Sequence, residues 1–145
     1  MIANASFRWV SVPLAAALTQ LYEFTLTVYL PKAADARGCF MISTAVLEAM
    51  DDDEIRGLLR AAVTEFDRLV SARLLHARQI GEPPETSDPA TLATIATAVV
   101  HTLAIRARAG ESRKTLMAIA AAAVTMICGS ASTAARTRRR SAART

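Results

Sequence analysis

The stretch DPATLATIATAVVHTLAIRARAGESRKTLMAIAAAAVTMIC, residues 88–128, decides how this chain folds. Asp88 precedes Pro89, and Ser112 precedes a run of strong helix formers. Asp and Ser at such positions accept the N–H groups that a helix leaves unpaired in its first turn, and Pro at the first helical position gives up no bond. Gly110 supplies the left-handed residue that ends one helix and turns the chain into the next. The stretch therefore predicts two helices, Asp88 to Ala109 and Ser112 to Cys128, joined as an αα-hairpin. Both carry little charge: none appears between Lys114 and Arg136. Leu116, Ile119, Ala120, Ala123, Val124 and Ile127 make a full helical stripe, and Met117, Ala121, Ala122, Met126 and Cys128 leave the opposite side nearly apolar. Leu92, Ile95, Val99 and Leu103 do the same for the preceding helix.

A helix that closes a core on one side should show charge on the other. Two neighbouring helices without it need a second partner surface, and a symmetric homodimer is the commonest solution. The expected interface is Leu92, Ile95, Val99, Leu103, Leu116, Ile119, Ala120, Ala123, Val124 and Ile127; the competing reading is a hairpin buried within one subunit. The run from Thr115 to Cys128 is about 21 Å long at helical rise, too short to cross a bilayer.

Working outward, Asp51 to Ile80 is the clearest single helix. Asp51 followed by Glu54 resembles a capping box, and four consecutive acids suit the positive end of the helix dipole. Ile55, Leu58, Leu59, Ala62, Val63, Phe66, Leu69, Val70 and Leu74 recur at helical spacing. Gly81 with Pro83 and Pro84 ends it. At about 45 Å it should form the spine against which the others pack. Before it, Cys39 to Met50 reads as a short, nearly all-apolar helix enclosed by its neighbours. Trp9 to Leu30 holds one charge, Glu23. A soluble core helix between Pro13 and Pro31 fits it best. A membrane anchor over residues 9–30 is the alternative, since its length suffices and Trp9 and Tyr29 lie near its ends. A signal peptide with Val10 to Leu18 as its apolar run is another. Glu23 and Gln20 at mid-depth oppose the anchor, because a carboxylate at the bilayer centre costs at least about 2.5 kcal/mol.

The fold expected is all-α: about five helices in an antiparallel bundle over residues 1–129, with a disordered tail over residues 130–145. The formal net charge of +4 belongs to that tail. Five of the seventeen basic residues lie in its last ten positions, and the other twelve nearly balance thirteen acids. Clustered arginines contact phosphates without reading sequence, so weak nonspecific nucleic-acid contact is the one such role the tail offers, beside that of a solvated extension. Cys39 and Cys128 are too few for a disulfide framework and indicate a reducing, cytoplasmic setting. Nucleophile, phosphate-loop and metal-ligand motifs are absent from the sequence, so neither catalysis nor a cofactor or metal is expected. The acids at 51–54 are explained by the helix start. His101, alone in mid-helix, is more often an interface or core group than a ligand contact.

The order of these pieces is distinctive. Arg37-Gly38-Cys39-Phe40-Met41 opens the short apolar helix and Asp51-Asp52-Asp53-Glu54-Ile55-Arg56 the long one. Ala77-Arg78-Gln79, Gly81-Glu82, Asp88-Pro89 and Leu92 follow, and Arg106-Ala107-Arg108-Ala109-Gly110 links to a helix ending at Cys128-Gly129. From about Leu21 to Gly129 this resembles the C-terminal effector-binding and dimerisation domain of tetracycline-repressor (TetR/AcrR) family regulators. The resemblance implies a dimer whose last two helices form a four-helix interface. It also implies a cavity among the middle helices that brings Tyr22, Phe40, Met41, Thr44, Phe66 and His101 near an apolar small molecule. The family's N-terminal helix-turn-helix has no counterpart here, since Met1 to Val12 cannot supply it. DNA contact is then expected only through a helix-turn-helix outside this chain, which either is a fragment or degenerate product or acts without direct DNA recognition. Effector binding in the family shifts a population between two states, and this chain would perform the sensing half.

Overall fold

The computed structural model describes residues 9–31, 44–82 and 88–129. Within them the chain is all-α, with five helices: α1 (Leu14–Tyr29), α2 (Val46–Glu48), α3 (Asp53–Gln79), α4 (Pro89–Arg108) and α5 (Arg113–Cys128). The expectation for Cys39 falls partly outside the described residues, as do Phe40, Met41 and the tail over 130–145.

The helix starts follow the sequence closely. Asp88 caps α4 by accepting the Thr91 N–H at 2.8 Å, with Pro89 in the first turn. Ser112 caps α5 by accepting the Thr115 N–H at 3.1 Å. At α3 the cap is Asp52, one residue later than expected, and its carboxylate accepts from Glu54 N at 2.8 Å and Ile55 N at 3.1 Å. In a row of three aspartates the spacing alone does not say which one leaves the helical conformation.

The helix ends use glycine as anticipated. Gly81 (φ 74°) and Gly110 (φ 87°) take the left-handed conformation. Glu82 N donates to Ala77 O at 2.8 Å and Gly81 N to Arg78 O at 3.2 Å. Glu111 N donates to Arg106 O at 3.0 Å and Gly110 N to Ala107 O at 3.1 Å. Both ends are thus Schellman closures.

The packing departs from the expected spine. α4, rather than α3, is central: it touches α1, α3 and α5, while α3 meets α1 only sparsely. The core is built from Leu18, Tyr22 and Leu26 of α1, Val70 and Leu74 of α3, Leu103 of α4 and Leu116 of α5, all at most 2% exposed. Full burial of a side chain of this kind stabilises the fold by about 1.5–3 kcal/mol. α3 enters this core with its second half only, through Val70, Arg73, Leu74 and Ala77. Farther up the helix Leu58 is 62% exposed.

The enclosed apolar helix expected over Cys39 to Met50 is corrected as well. Within 44–50 only Val46–Glu48 is α-helical, preceded by a π turn at 44–45, and Val46, Leu47 and Met50 are exposed. Arg56 fixes this piece to α3, donating to Ala49 O at 2.9 Å and Met50 O at 3.1 Å. The anchor segment resolves into a 16-residue helix, about 24 Å long against a hydrocarbon thickness of about 30 Å. By length and composition alone, α4 is the one described helix that could cross a membrane. Here it lies among three other helices.

Two glycine substitutions have opposite expected effects. An added Cβ meets nothing within 4 Å at either Gly110 or Gly57, but only Gly110 has a positive φ. Gly110→Ala should therefore destabilise by about 1–2 kcal/mol. Gly57→Ala, inside α3, should stabilise by about 0.5–1 kcal/mol. Urea denaturation midpoints of the two variants check both signs.

Candidate functional site

Burial sorts the residues expected at a dimer interface into two groups. Leu103, Leu116, Ala120, Ala123, Val124 and Ile127 are buried within the subunit. Leu92, Val99 and Ile119 pack on the same core from its edge, and Ile95 is exposed. The reason is α1, which lies along α5 and also touches α4, covering the more strongly apolar of the two faces of α5. The face left outside carries Ala118, Ala121, Ala122, Thr125 and Met126 on α5, with Ile95, Ala98 and Ile105 on α4. Met126 is 83% exposed, the most of any large hydrophobic side chain described. No Asp, Glu, Lys or Arg occurs from Pro89 to Ile105 or from Thr115 to Cys128.

The residues expected around a small molecule also divide. Tyr22 is fully buried in the core, and its hydroxyl donates to Ala96 O at 3.2 Å, joining α1 to α4. Burial is the main cause of a phenol pKa pushed well above its ordinary value, with the nearby Cys128 adding to it. Phe66 is half-buried at the rim of the same core. Thr44 and His101 are half-buried. Phe40 and Met41 lie outside the described residues. The exposed apolar side chains around these helices are Phe24 and Val28 on α1, Val46 and Leu47 on α2, and Leu58 and Leu69 on α3.

Two polar constellations were missed from sequence. In the first, Asp67 of α3 accepts hydrogen bonds from the hydroxyls of Thr97 and Thr94, the latter at 3.2 Å, fastening α3 to α4. In the second, Arg73 of α3 has no exposed side-chain surface. Its Nε donates to Trp9 O at 2.7 Å and its Nη2 to Val12 O at 2.7 Å. Nη2 also lies 3.4 Å from Glu82 Oε2, which accepts the first amide of α1, Leu14 N, at 2.8 Å. Nη1 is buried without a hydrogen-bond partner. The signal for Arg73 was present: it occupies a position on the apolar stripe of α3, three and four residues from Val70, Leu69 and Ala77. A charge placed there must be enclosed and paired, since an uncompensated buried charge is costly.

Cys128, half-buried at the end of α5, borders this second constellation. Burial first, and the Glu82 carboxylate second, push its thiol up to about 11, against an opposing effect of Arg73. A thiol so shifted is almost entirely protonated at pH 8, and the thiolate is the reactive form. Alkylation of Cys128 at pH 8, followed by peptide mapping, should run at least about tenfold slower than for an unstructured cysteine peptide. It should accelerate as pH rises toward 11.

The arrangement holds no cluster of three metal-ligating side chains among the described residues. It leaves apolar side chains exposed on α1 to α3 and on α4 and α5, with α3 tied to α4 at Asp67 and to residues 9–12 at Arg73. The family model described as "Tetracyclin repressor-like, C-terminal domain" matches residues 15–138. No curated protein and no solved structure matches the chain. The matched span contains α1 to α5 but for its first residue, and the all-helical order ending in a hairpin of two weakly charged helices agrees with it: this chain belongs to the tetracycline-repressor-like C-terminal domain family.

Proposed function

We propose that this chain is a non-catalytic effector-sensing and dimerising domain of a transcriptional regulator. It pairs with a second copy through the outer faces of α4 and α5 and binds an apolar small molecule among α1, α2 and α3. The observation that carries the reading is the outer surface of the α4–α5 hairpin. Its inner stripes already close the subunit core, yet Ile95, Ile105 and Met126 remain exposed on a surface without carboxylate, ammonium or guanidinium groups over most of its length. Two such hairpins facing each other bury this surface and give a four-helix seam, in which Ala118, Ala121 and Ala122 allow close approach of the helices. The interface residues expected from sequence are accordingly replaced, apart from Ile95 and the edge positions Leu92, Val99 and Ile119, by residues one helical face away.

The ligand-binding half rests on Phe24, Val28, Leu58 and Leu69, apolar side chains that the bundle leaves exposed on its middle helices. Exposed apolar side chains of this kind suit the hydrophobic part of a small ligand. Tyr22 holds α1 to α4 from the buried side, its hydroxyl donating to Ala96 O. In this reading the domain works in the cytoplasm without a membrane or cofactor, and any specific DNA contact comes from a helix-turn-helix outside residues 1–145.

Light scattering at micromolar concentration should report a dimer for the unmodified chain; a monomer would sink the pairing. Met126→Glu and Ile95→Glu each place two carboxylates in the seam, one per subunit, and should shift the protein to monomer. Because both side chains are exposed in the subunit, the helical circular dichroism should stay unchanged.

A further inference from the structure

The α3 C-terminus, the turn after it and the start of α1 meet at Arg73 and Glu82. Arg73 has five N–H donors. Two carbonyls from the segment just ahead of α1, Trp9 O and Val12 O, take one each from Nε and Nη2. Charge-assisted bonds of this kind are about twice as strong as neutral ones. Glu82 is held in place by the Schellman closure of α3, through its own N–H on Ala77 O. Its carboxylate takes the role that a side-chain cap would play for α1, where Pro13 offers none. Oε2 is therefore shared: it lies 2.8 Å from Leu14 N and 3.4 Å from the Arg73 guanidinium. The buried Nη1 remains without an acceptor.

We infer that Arg73 and Glu82 form a latch that makes residues 9–14 and the C-terminal end of α3 move as one body. The inference rests on the sensing role proposed above only for its purpose: a ligand that displaces α3 would carry the start of the chain with it. The latch itself is a property of the unliganded protein.

Its design follows from the partners. Arg73 is buried, so its bonds to the 9–12 carbonyls are sheltered from competing water, and breaking them strands a charge. Glu82 has two claims on one oxygen. Both contacts are made at once, so the turn after α3, the Arg73 guanidinium and the first amide of α1 are tied at one oxygen. Arg73 acts as a positioning residue throughout.

Native-state hydrogen exchange on the full chain tests this without any effector. In Arg73→Met the amides of residues 9–12 and of Leu14 should exchange about 100-fold faster, as expected when two charge-assisted bonds are lost, while the α5 amides keep their protection. Arg73→Lys, which keeps the charge but cannot span both carbonyls, should fall between. Glu82→Gln should speed exchange at the first turn of α1 and leave the α5 amides alone. Unchanged exchange at 9–12 and Leu14, or an equal rise at every amide in the protein, would overturn the latch, the second outcome showing that Arg73 serves stability alone. If Arg73→Met does not fold, the lysine and glutamine variants decide by the same local-against-global comparison. A dimer that dissociates, or a chain that binds no ligand, would sink the proposed function and leave these exchange patterns standing.

Discussion

The seating of α1 against α4 and α5 is the contact on which the rest depends. Leu18, Tyr22 and Leu26 are fully buried there, and they set which side of the C-terminal hairpin becomes interior. Without α1, the hairpin has two apolar sides and no reason to prefer one. With it, Leu116, Ala120 and Ile127 face inward and Ala118, Ala121, Ala122 and Met126 face out. The Tyr22 hydroxyl on Ala96 O adds direction to an otherwise nonspecific apolar contact. A buried phenol needs such a partner, so the bond also selects which turn of α4 lies opposite α1.

Local chemistry was the most legible part of the sequence. Asp88-Pro89, Ser112, Gly81 and Gly110 specify helix starts and ends through bonds that span a few residues, and the structure uses each as the residue types require. The hairpin, the all-α class and the helix after Pro13 follow from those bonds and from periodicity. The inward face of α5 was not legible in the same way. Its two sides differ by a few methyl groups, and the choice between them is made by a helix about ninety residues earlier in the chain. Asp51 and Asp52 posed the same problem on a smaller scale, because neighbouring identical residues carry the same capping chemistry.

Charged positions within apolar stripes carried more information than the stripes did. The stripe of α3 fits one helical face, yet it is left exposed at Leu58 and Leu69 and buried at Val70, Leu74 and Ala77. The residue that marks the change is Arg73. Enclosing a guanidinium requires acceptors at fixed positions, and here those are backbone carbonyls from the chain ahead of α1. Asp67, one turn and a half earlier, performs the corresponding task toward α4 through two threonine hydroxyls. Together these two charges fix α3 to both of its neighbours, one at its middle and one near its end.

This placement of polar ties explains why apolar surface can persist on the first half of α3. The ties and the core hold the second half firmly, whereas the first half is fastened through Arg56 to the short α2 turn and otherwise leans on α4. A helix of 27 residues anchored at one end can present its other end as a wall without contributing to the core. Exposed apolar side chains there, such as Leu58, do not stabilise the subunit by burial. On the α4–α5 side the uncovered surface is rich in alanine and uncharged over most of its length, which suits another helix pair. On α1 and α3 the exposed apolar side chains, Phe24, Val28, Leu58 and Leu69, are bulkier and set apart by charged neighbours. The two sets of exposed apolar side chains therefore differ in size and spacing as well as in position, and the proposed function assigns pairing to the one and ligand binding to the other.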